Sequence, residues 1–456
     1  MSWVAAGVER NPLMLAVPVA AALAFGIYFA ARSRGYFSDE GSFCTIAQGI
    51  LHGRLPYRDL FNEKPPLQYF WTAAIMAVSQ PTLAGARLAS TLALILVFSC
   101  ILHRPAEQIR SPLSFLAWTI LAFLIAMNML AFNNTAESSL AALFSLNALL
   151  LHRGALAEAP ANRVVIAQGF LSGISIGFRQ AAILPALLLM FPPNRKFSKK
   201  AYCLGLVAGL LCWLAPLYAL GIGSEFFSST VGFQLTNPGV LAYLRGPALA
   251  DAMTGLLWLL CLGWLISLRK NDKGMLWLVF WVTAISVSAF FRMDGFRLWP
   301  SVAAALVLIS QEEPEENLVS RIVPLAIASA ALLALVGFHP KRSSVYTDLA
   351  SAITQVTTPR DRIWVGPFHP LSYCLAGRQP ASRYYFILPW TAKARVRRQI
   401  VADIGRTQPQ LIILNERDPP SVAQLMPQLL RIVATRYHVI RTYGSLVFYQ
   451  RNSLGG

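Results

Sequence analysis

Charged side chains are concentrated between Ser38 and Tyr69, directly after the first apolar segment of the chain. This stretch carries the acids Asp39, Glu40, Asp59 and Glu63 and the bases Arg54, Arg58 and Lys64. A carboxylate can accept a proton from an attacking hydroxyl, and a lysine can bind a phosphate as a compact positive charge. Charges are costly at a membrane face unless they pair, contact water or take part in chemistry. We therefore interpret the stretch as half of an active site.

The tetrapeptide Ser38-Asp39-Glu40-Gly41 has a second explanation. Ser38 can cap a helix whose first turn carries two acids, which the helix dipole favours. Taken alone, capping explains these residues at least as well as catalysis does. The following run, GRLPYRDLFNEKPPLQY, favours chemistry, because its Pro-Pro corner holds Lys64 in an extended backbone. Lys64 can then bind a phosphate at headgroup depth, or it can simply snorkel.

Later loops supply further candidates. Glu137 lies in NNTAESS, where a first-turn helix acid is the alternative explanation. Arg179 and Gln180 interrupt the apolar run GISIGFRQAAILP, where an arginine is either an interface anchor or an anion ligand. FRMDGFR offers Arg292 and Arg297, which with Asp294 could also form an internal ion pair flanking a turn.

The composition indicates a polytopic helical membrane protein. Of 456 residues, 55% are hydrophobic and only 13% are charged, which is far more apolar than a soluble protein of this length. The net charge of +18 is dispersed and forms no long basic run. It therefore fits loops beside anionic membrane lipid and argues against a nucleic-acid partner.

Long apolar segments predict eleven spanning helices. They cover about 11–31, 87–102, 113–131, 138–151, 164–177, 181–191, 201–222, 252–268, 275–291, 298–310 and 322–338. The segment from Pro65 to Ser79 is too short to be counted, and we interpret it as a helix lying on the outer surface. Lys and Arg then fall mainly in the inside loops, as the charge rule requires.

This topology brings the polar loops to one membrane face. The predicted membrane domain, 1–338, includes an outer loop at 32–86 that carries the active-site motif. The tail, 339–456, alternates strand-like and helix-like segments and is predicted to be a small soluble α/β domain on the same outer side. Cys44 and Cys374 both fall in aqueous regions, but free thiols are common, so the sequence leaves their pairing open.

The motifs together resemble a known family. They are the D-E pair after the first span, G-R-L-P-Y-R-D-L-F-N-E-K-P-P-L, the N-x-x-x-E at the third span, G-F-R-Q-A-A-I-L-P, and an arginine-rich loop before an L-x-P span. The chain is similar to bacterial GT-C glycosyltransferases, in particular to the group of the lipid A aminoarabinose transferase, the rhizobial galacturonosyltransferases and the protein O-mannosyltransferases. One departure is the FRMD–RLWP loop, which lacks the H-Y pair of many relatives and puts acceptor or sugar contacts there in doubt.

The resemblance implies an inverting sugar transfer. The donor would be a polyprenyl-phosphate sugar and the acceptor a hydroxyl of lipid A, of lipopolysaccharide core, of another envelope glycan or of a protein, at the periplasmic face of a bacterial inner membrane. Asp39 would activate the acceptor and Glu137 would stand where the family keeps a second acid. Substrate contacts are expected from Glu40, Tyr57, Arg58, Asp59, Lys64, Arg179, Gln180, Arg292 and Arg297.

Cofactors and competing functions complete the expectations. No cofactor is required, although a divalent metal could bind between Asp39 and Glu137; the lone nearby histidine, His52, does not make a zinc site. A transporter or flippase of lipid-linked sugars should instead show mid-membrane charges or paired repeats, and we see neither. A non-catalytic membrane subunit would not depend on Asp39.

Overall fold

The computed structural model describes residues 38–108, 112–131, 135–151, 154–236, 249–268, 273–290, 295–311, 344–389, 391–416 and 421–452. The predicted spans at 11–31 and 322–338 lie outside these residues. So does the predicted domain boundary at 338/339.

The first part of the described chain is helical. Its α-helices are α1 (Ser38–Leu51), α2 (Leu67–Val78), α3 (Leu83–Gln108), α4 (Pro112–Ala131), α5 (Thr135–Leu151), α6 (Asn162–Phe178), α7 (Ile183–Leu188), α8 (Lys199–Ala219), α9 (Gly223–Phe227), α10 (Phe233–Thr236), α11 (Leu249–Leu268), α12 (Lys273–Phe290) and α13 (Trp299–Gln311). Short 3-10 helices cover Gln180–Ala182 and Gly295–Leu298, and a π-helix, Ser228–Gly232, joins α9 to α10.

The helices identify a membrane protein. Among the described residues, three helical stretches are long and apolar enough to cross a bilayer: Leu83–His103, Lys199–Ala219 and Asp251–Leu268. Leu67–Val78, Ala136–Leu151, Gly274–Val287 and Trp299–Gln311 are apolar but shorter. The count of eleven spans therefore remains a prediction. Since α2 has 12 residues and is about 18 Å long, its length agrees with the surface helix expected there.

One predicted span is much shorter than expected. The segment 181–191 contains α7, a helix of six residues and about 9 Å, which cannot by itself cross a core of about 30 Å. Its neighbours α6 and α8 run parallel: Gly169 contacts Tyr202, and Gly173 contacts Leu206. The chain must therefore return from the end of α6 to the start of α8, and it does so through the Gln180–Ala182 turn, α7 and residues 189–198. Arg179 lies at that turn.

The C-terminal part is an α/β domain built on a five-stranded sheet. Its elements are α14 (Ser344–Val356), β1 (Arg362–Gly366), α15 (Pro370–Ala376), β2 (Gln379–Pro380), α16 (Ala394–Thr407), β3 (Leu411–Asn415), α17 (Val422–Leu425), α18 (Pro427–Arg436), β4 (Tyr437–Tyr443) and β5 (Leu446–Arg451). The strand order is β2-β1-β3-β5-β4. β1 pairs in parallel with β2 and β3, whereas β5 pairs antiparallel with β3 and β4.

The two faces of this sheet have different partners. Side chains alternate along β3, so Ile412 packs under α16 and α18 with Ile400 and Val433. Ile413, on the opposite face, belongs to a core shared with Phe61 and other residues of the loop that follows α1. The domain is therefore built directly onto the predicted active-site loop.

A disulfide joins the two parts covalently. Cys44 on α1 is bonded to Cys374 on α15, across 330 residues of sequence. The structure thus decides the pairing that the sequence left open.

Candidate active site

Asp39 and Lys64 form the centre of the site. Asp39 lies in the first turn of α1, and its Oδ2 is 3.2 Å from Lys64 Nζ. The ammonium also lies 4.8 Å from the centre of the Phe43 ring, in a cation–π contact. Both side chains remain accessible, with 31% of the Asp39 side chain and 17% of the Lys64 side chain exposed. A carboxylate and an ammonium are therefore held together where a substrate can reach them.

Tyr57 holds the backbone of Lys64 in place. Its hydroxyl donates a 2.7 Å hydrogen bond to the Lys64 carbonyl, and its ring is fully buried against Tyr69 and Phe226. Tyr57 has φ of +66°, a left-handed conformation that a bulky residue rarely adopts. This placement argues that Tyr57 fixes the Lys64 loop rather than contacting substrate.

A second ion pair contributes charge to the site, because its Arg179 acts on the Asp39 carboxyl. Glu137, in the first turn of α5, pairs with Arg179 at the end of α6, and both side chains are buried. Arg297 is also buried, in the 3-10 turn before α13. The predicted residues Asp39, Lys64, Glu137, Arg179 and Arg297 thus come from separate elements of the fold.

Positive charge controls the ionisation of Asp39, which lies on α1, a helix that is not among the candidate membrane spans. Burial raises the pKa of its carboxyl, but the charge and hydrogen bond of Lys64 oppose this effect. Arg297 and Arg179 add to the opposing field, so the pKa of Asp39 lies below its ordinary value of 3.8. The carboxylate is therefore ionised at neutral pH and can accept a proton.

The pH dependence of turnover should reveal this coupling. If transfer needs ionised Asp39, activity is present above the Asp39 pKa and is lost as the pH falls through it. Replacing Lys64 by Met removes the strongest influence that lowers this pKa, so the acid limb should move to higher pH. Profiles of kcat/KM for wild type and Lys64→Met report the ionisation in the free enzyme. An acid limb that stays in place would contradict the coupling.

Glu40 turns away from Asp39. Its two carboxylate oxygens accept hydrogen bonds of 2.9 and 2.8 Å from the guanidinium of Arg87 on α3. Only 3% of the Glu40 side chain and 6% of the Arg87 side chain are exposed. Adjacent helical residues do not share a face, which explains how neighbouring acids take different partners. The pairing argues for a structural role of Glu40 instead of the expected substrate contact.

Stability should depend on this buried pair. Replacing Arg87 by Leu leaves the Glu40 carboxylate buried without that partner, and such changes cost about 3 to 5 kcal/mol. We expect a lower Tm for Arg87→Leu in detergent. Glu40→Leu combined with Arg87→Leu should recover most of the loss, because the uncompensated charge is then gone. Equal Tm values for the single and double variants would refute this role.

The remaining predicted substrate contacts are Arg58, Asp59, Gln180 and Arg292. Arg58 pairs with Asp59 at 3.2 Å, and 51% of the Arg58 side chain is exposed. Asp59 also accepts a hydrogen bond from the Leu55 amide, so the pair shapes the loop. Gln180 begins the 3-10 turn behind Arg179 and is half-buried. Arg292 lies outside the described residues.

Solved structures share the fold of this chain. ArnT from Cupriavidus metallidurans, bound to undecaprenyl phosphate, superposes with a TM-score of 0.65 at 16% identity, over 95% of this chain and 97% of that chain. The same enzyme without ligand gives a TM-score of 0.63 at 16% identity, with the same coverage of both chains. The chain has the GT-C glycosyltransferase fold.

A more distant structure shares the GT-C fold. The oligosaccharyltransferase AglB from Archaeoglobus fulgidus, in complex with an inhibitory peptide and a dolichol-phosphate, gives a TM-score of 0.50 at 10% identity. The superposition covers 97% of this chain and 74% of that chain. No protein-family model and no curated protein sequence matches the chain.

Several contacts within this GT-C fold were not predicted. Arg87 is a lone basic residue early in a long apolar helix, and that position was a usable signal for a buried partner. Phe43 and Asn62 gave no such signal, since Phe43 contacts Lys64 only through the folded loop and Asn62 accepts a 3.3 Å hydrogen bond from the Lys64 amide.

The described residues show no dedicated metal centre. They contain no group of three or more His, Cys, Asp or Glu side chains that could hold an ion. Glu137, the expected second ligand beside Asp39, is paired with Arg179. Asp39 and Glu137 therefore each face a cation of the protein itself.

Proposed function

We propose that this protein transfers a sugar from a polyprenyl-phosphate donor to an acceptor hydroxyl. The observation that supports this most strongly is the accessible Asp39–Lys64 pair. The charges of Arg179 and Arg297 are close enough to lower the Asp39 pKa. Such a transfer needs a carboxylate beside the attacking hydroxyl and positive charge on the departing phosphate. The fold supports the same reaction, because ArnT and AglB were solved with undecaprenyl phosphate and dolichol-phosphate.

In the proposed step, the Asp39 carboxylate accepts the proton of the acceptor hydroxyl. The hydroxyl oxygen forms a bond to the anomeric carbon while the bond from that carbon to the phosphate oxygen breaks. Attack opposite the leaving group inverts the anomeric configuration. Lys64, together with Arg297 and Arg179, stabilises the phosphate that departs with the bonding electron pair.

The direct test is transfer by the purified full-length protein. Radiolabelled sugar on polyprenyl phosphate, supplied in membranes of a strain that lacks the protein, should move to an envelope lipid, glycan or protein. Mass spectrometry of envelope glycans from the deletion strain identifies the acceptor as the species that loses one sugar. If the purified protein moves no sugar from any polyprenyl-phosphate donor, the proposal fails.

We also place the site on the extracytoplasmic side of the inner membrane. The Cys44–Cys374 disulfide supports this side, since disulfides persist in oxidising compartments and are rare in the cytosol. A reporter fused after Gly456 should be active only when exported. Cytoplasmic reporter activity would overturn the assignment.

The proposal contains no required metal. Asp39 and Glu137 each face a protein cation, so neither carboxylate needs an ion to balance its charge. Transfer should persist in EDTA. Loss of transfer in EDTA that Mg²⁺ or Mn²⁺ restores would show that a metal takes part.

A further inference from the structure

The helix that carries Asp39 is attached to the C-terminal domain at several points. Besides the disulfide, Thr45 on α1 donates a 2.9 Å hydrogen bond to the carbonyl of Pro370. Gln48, one turn further along, donates a 3.1 Å hydrogen bond to the carbonyl of Cys374. Both acceptors belong to α15, so α1 and α15 are joined covalently and by buried polar contacts.

The backbones of α1 and α15 also touch. A Cβ atom at Gly41 would lie 2.5 Å from the backbone nitrogen and Cα of Leu371, closer than real Cβ contacts allow. Gly41 is two residues after Asp39 in the first turn of α1. The close approach therefore sets the position of the same turn that carries the carboxylate.

Further contacts join α1 to the membrane helices and to the Lys64 loop. Glu40 pairs with Arg87 on α3, and Asp39 pairs with Lys64 in the following loop. The first turn is thus held between the membrane helices and α15. A shift of α1 relative to α15 would change the separation of Asp39 from Lys64.

We propose that the C-terminal domain positions the catalytic carboxylate, and that the Cys44–Cys374 disulfide is the main positioning element. This inference rests on the proposed transfer reaction and assigns a role to a domain to which none of Asp39, Lys64, Glu137, Arg179 and Arg297 belongs. Cys44 and Cys374 act through α1 and are positioning residues. A displacement of about 1 Å at a reacting group can reduce turnover by roughly a hundredfold.

The test replaces both cysteines by alanine in the full-length protein. We expect kcat for Cys44→Ala/Cys374→Ala to fall at least about tenfold, while KM for the donor changes far less. The acid limb of the kcat/KM profile should move to higher pH as Lys64 loosens from Asp39. The matched control is Cys203→Ala/Cys212→Ala, which removes two free cysteines of α8 and should keep wild-type kinetics.

A second variant separates positioning from loss of the covalent bond. Gly41→Ala keeps the disulfide but forces α1 away from Leu371, and it should reproduce the lower kcat and the shifted acid limb. Wild-type kcat in the folded double-cysteine variant would overturn the inference. A lower Tm with kcat per folded molecule and the pH profile unchanged would also overturn it, because it shows a purely stabilising bond.

One readout does not need the transfer reaction. Acetylation of Lys64 by an amine-reactive reagent, followed by mass spectrometry of its peptide, reports how firmly the ammonium is held by Asp39. The rate should rise in Cys44→Ala/Cys374→Ala and stay at the wild-type value in the Cys203/Cys212 control. If the rate rises but the wild-type protein transfers no sugar, the proposed function fails and the positioning role stands; an unchanged rate overturns the positioning role.

Discussion

Asp39→Asn should abolish most transfer while the protein stays folded and binds donor. The amide has nearly the shape of the carboxylate but cannot take the hydroxyl proton. General-base contributions are typically about a hundredfold to ten-thousandfold, so kcat should fall by that factor and a residual rate should remain. Donor affinity should be unchanged or higher, because the neutral amide no longer holds the Lys64 ammonium by charge. Steady-state kinetics and donor binding measured on one preparation test both statements.

Glu40→Gln provides the matched comparison. It removes an equal charge one residue away, but that charge pairs with Arg87 inside the protein. We therefore expect a lower Tm and a nearly normal kcat per folded molecule. If Glu40→Gln stops turnover and Asp39→Asn does not, the two acids have been assigned to the wrong roles. If neither change affects turnover, Asp39 is not the group that accepts the hydroxyl proton.

The sequence predicted the elements that have strong local signals. The apolar run at 113–131 forms α4, Pro112–Ala131, and the strand-like SLVFYQ forms β5, Leu446–Arg451. The length of an apolar run and the alternation of apolar and polar side chains are local properties. They can therefore be read from the sequence without knowledge of the fold. The span predicted at 181–191 contains only the six-residue helix α7, between the parallel helices α6 and α8, and its crossing of the membrane stays a prediction.

The sequence predicted which residues belong to the site better than it predicted which of them contact each other. Asp39 and Lys64 were singled out separately, yet the sequence gives no measure of the distance between them, which is 3.2 Å. The partner of Glu40 is 47 residues away and the partner of Cys44 is 330 residues away. Contacts of that range depend on helix packing and on docking of the C-terminal domain. Charge and spacing along the chain carry no information about either.

Lys64→Ala should weaken donor binding more than it slows the bound reaction. The Phe43 ring holds the ammonium at the site and the Tyr57 bond holds its backbone, so little side-chain freedom is lost when a phosphate arrives. A charge-assisted contact to phosphate is worth about 1.5 to 3 kcal/mol, which is roughly a tenfold to hundredfold loss of affinity. Titration with polyprenyl-phosphate sugar in nanodiscs measures it.

Two control variants test whether the effect is specific to Lys64. Lys196→Ala removes an exposed lysine from the predicted inside loop and should bind donor like wild type. Lys64→Arg keeps the positive charge and should recover part of the affinity, since a guanidinium binds phosphate but does not match the compact ammonium. Wild-type affinity in Lys64→Ala would show that Arg179 and Arg297 bind the phosphate without it, and Lys64 would then serve only to keep Asp39 ionised.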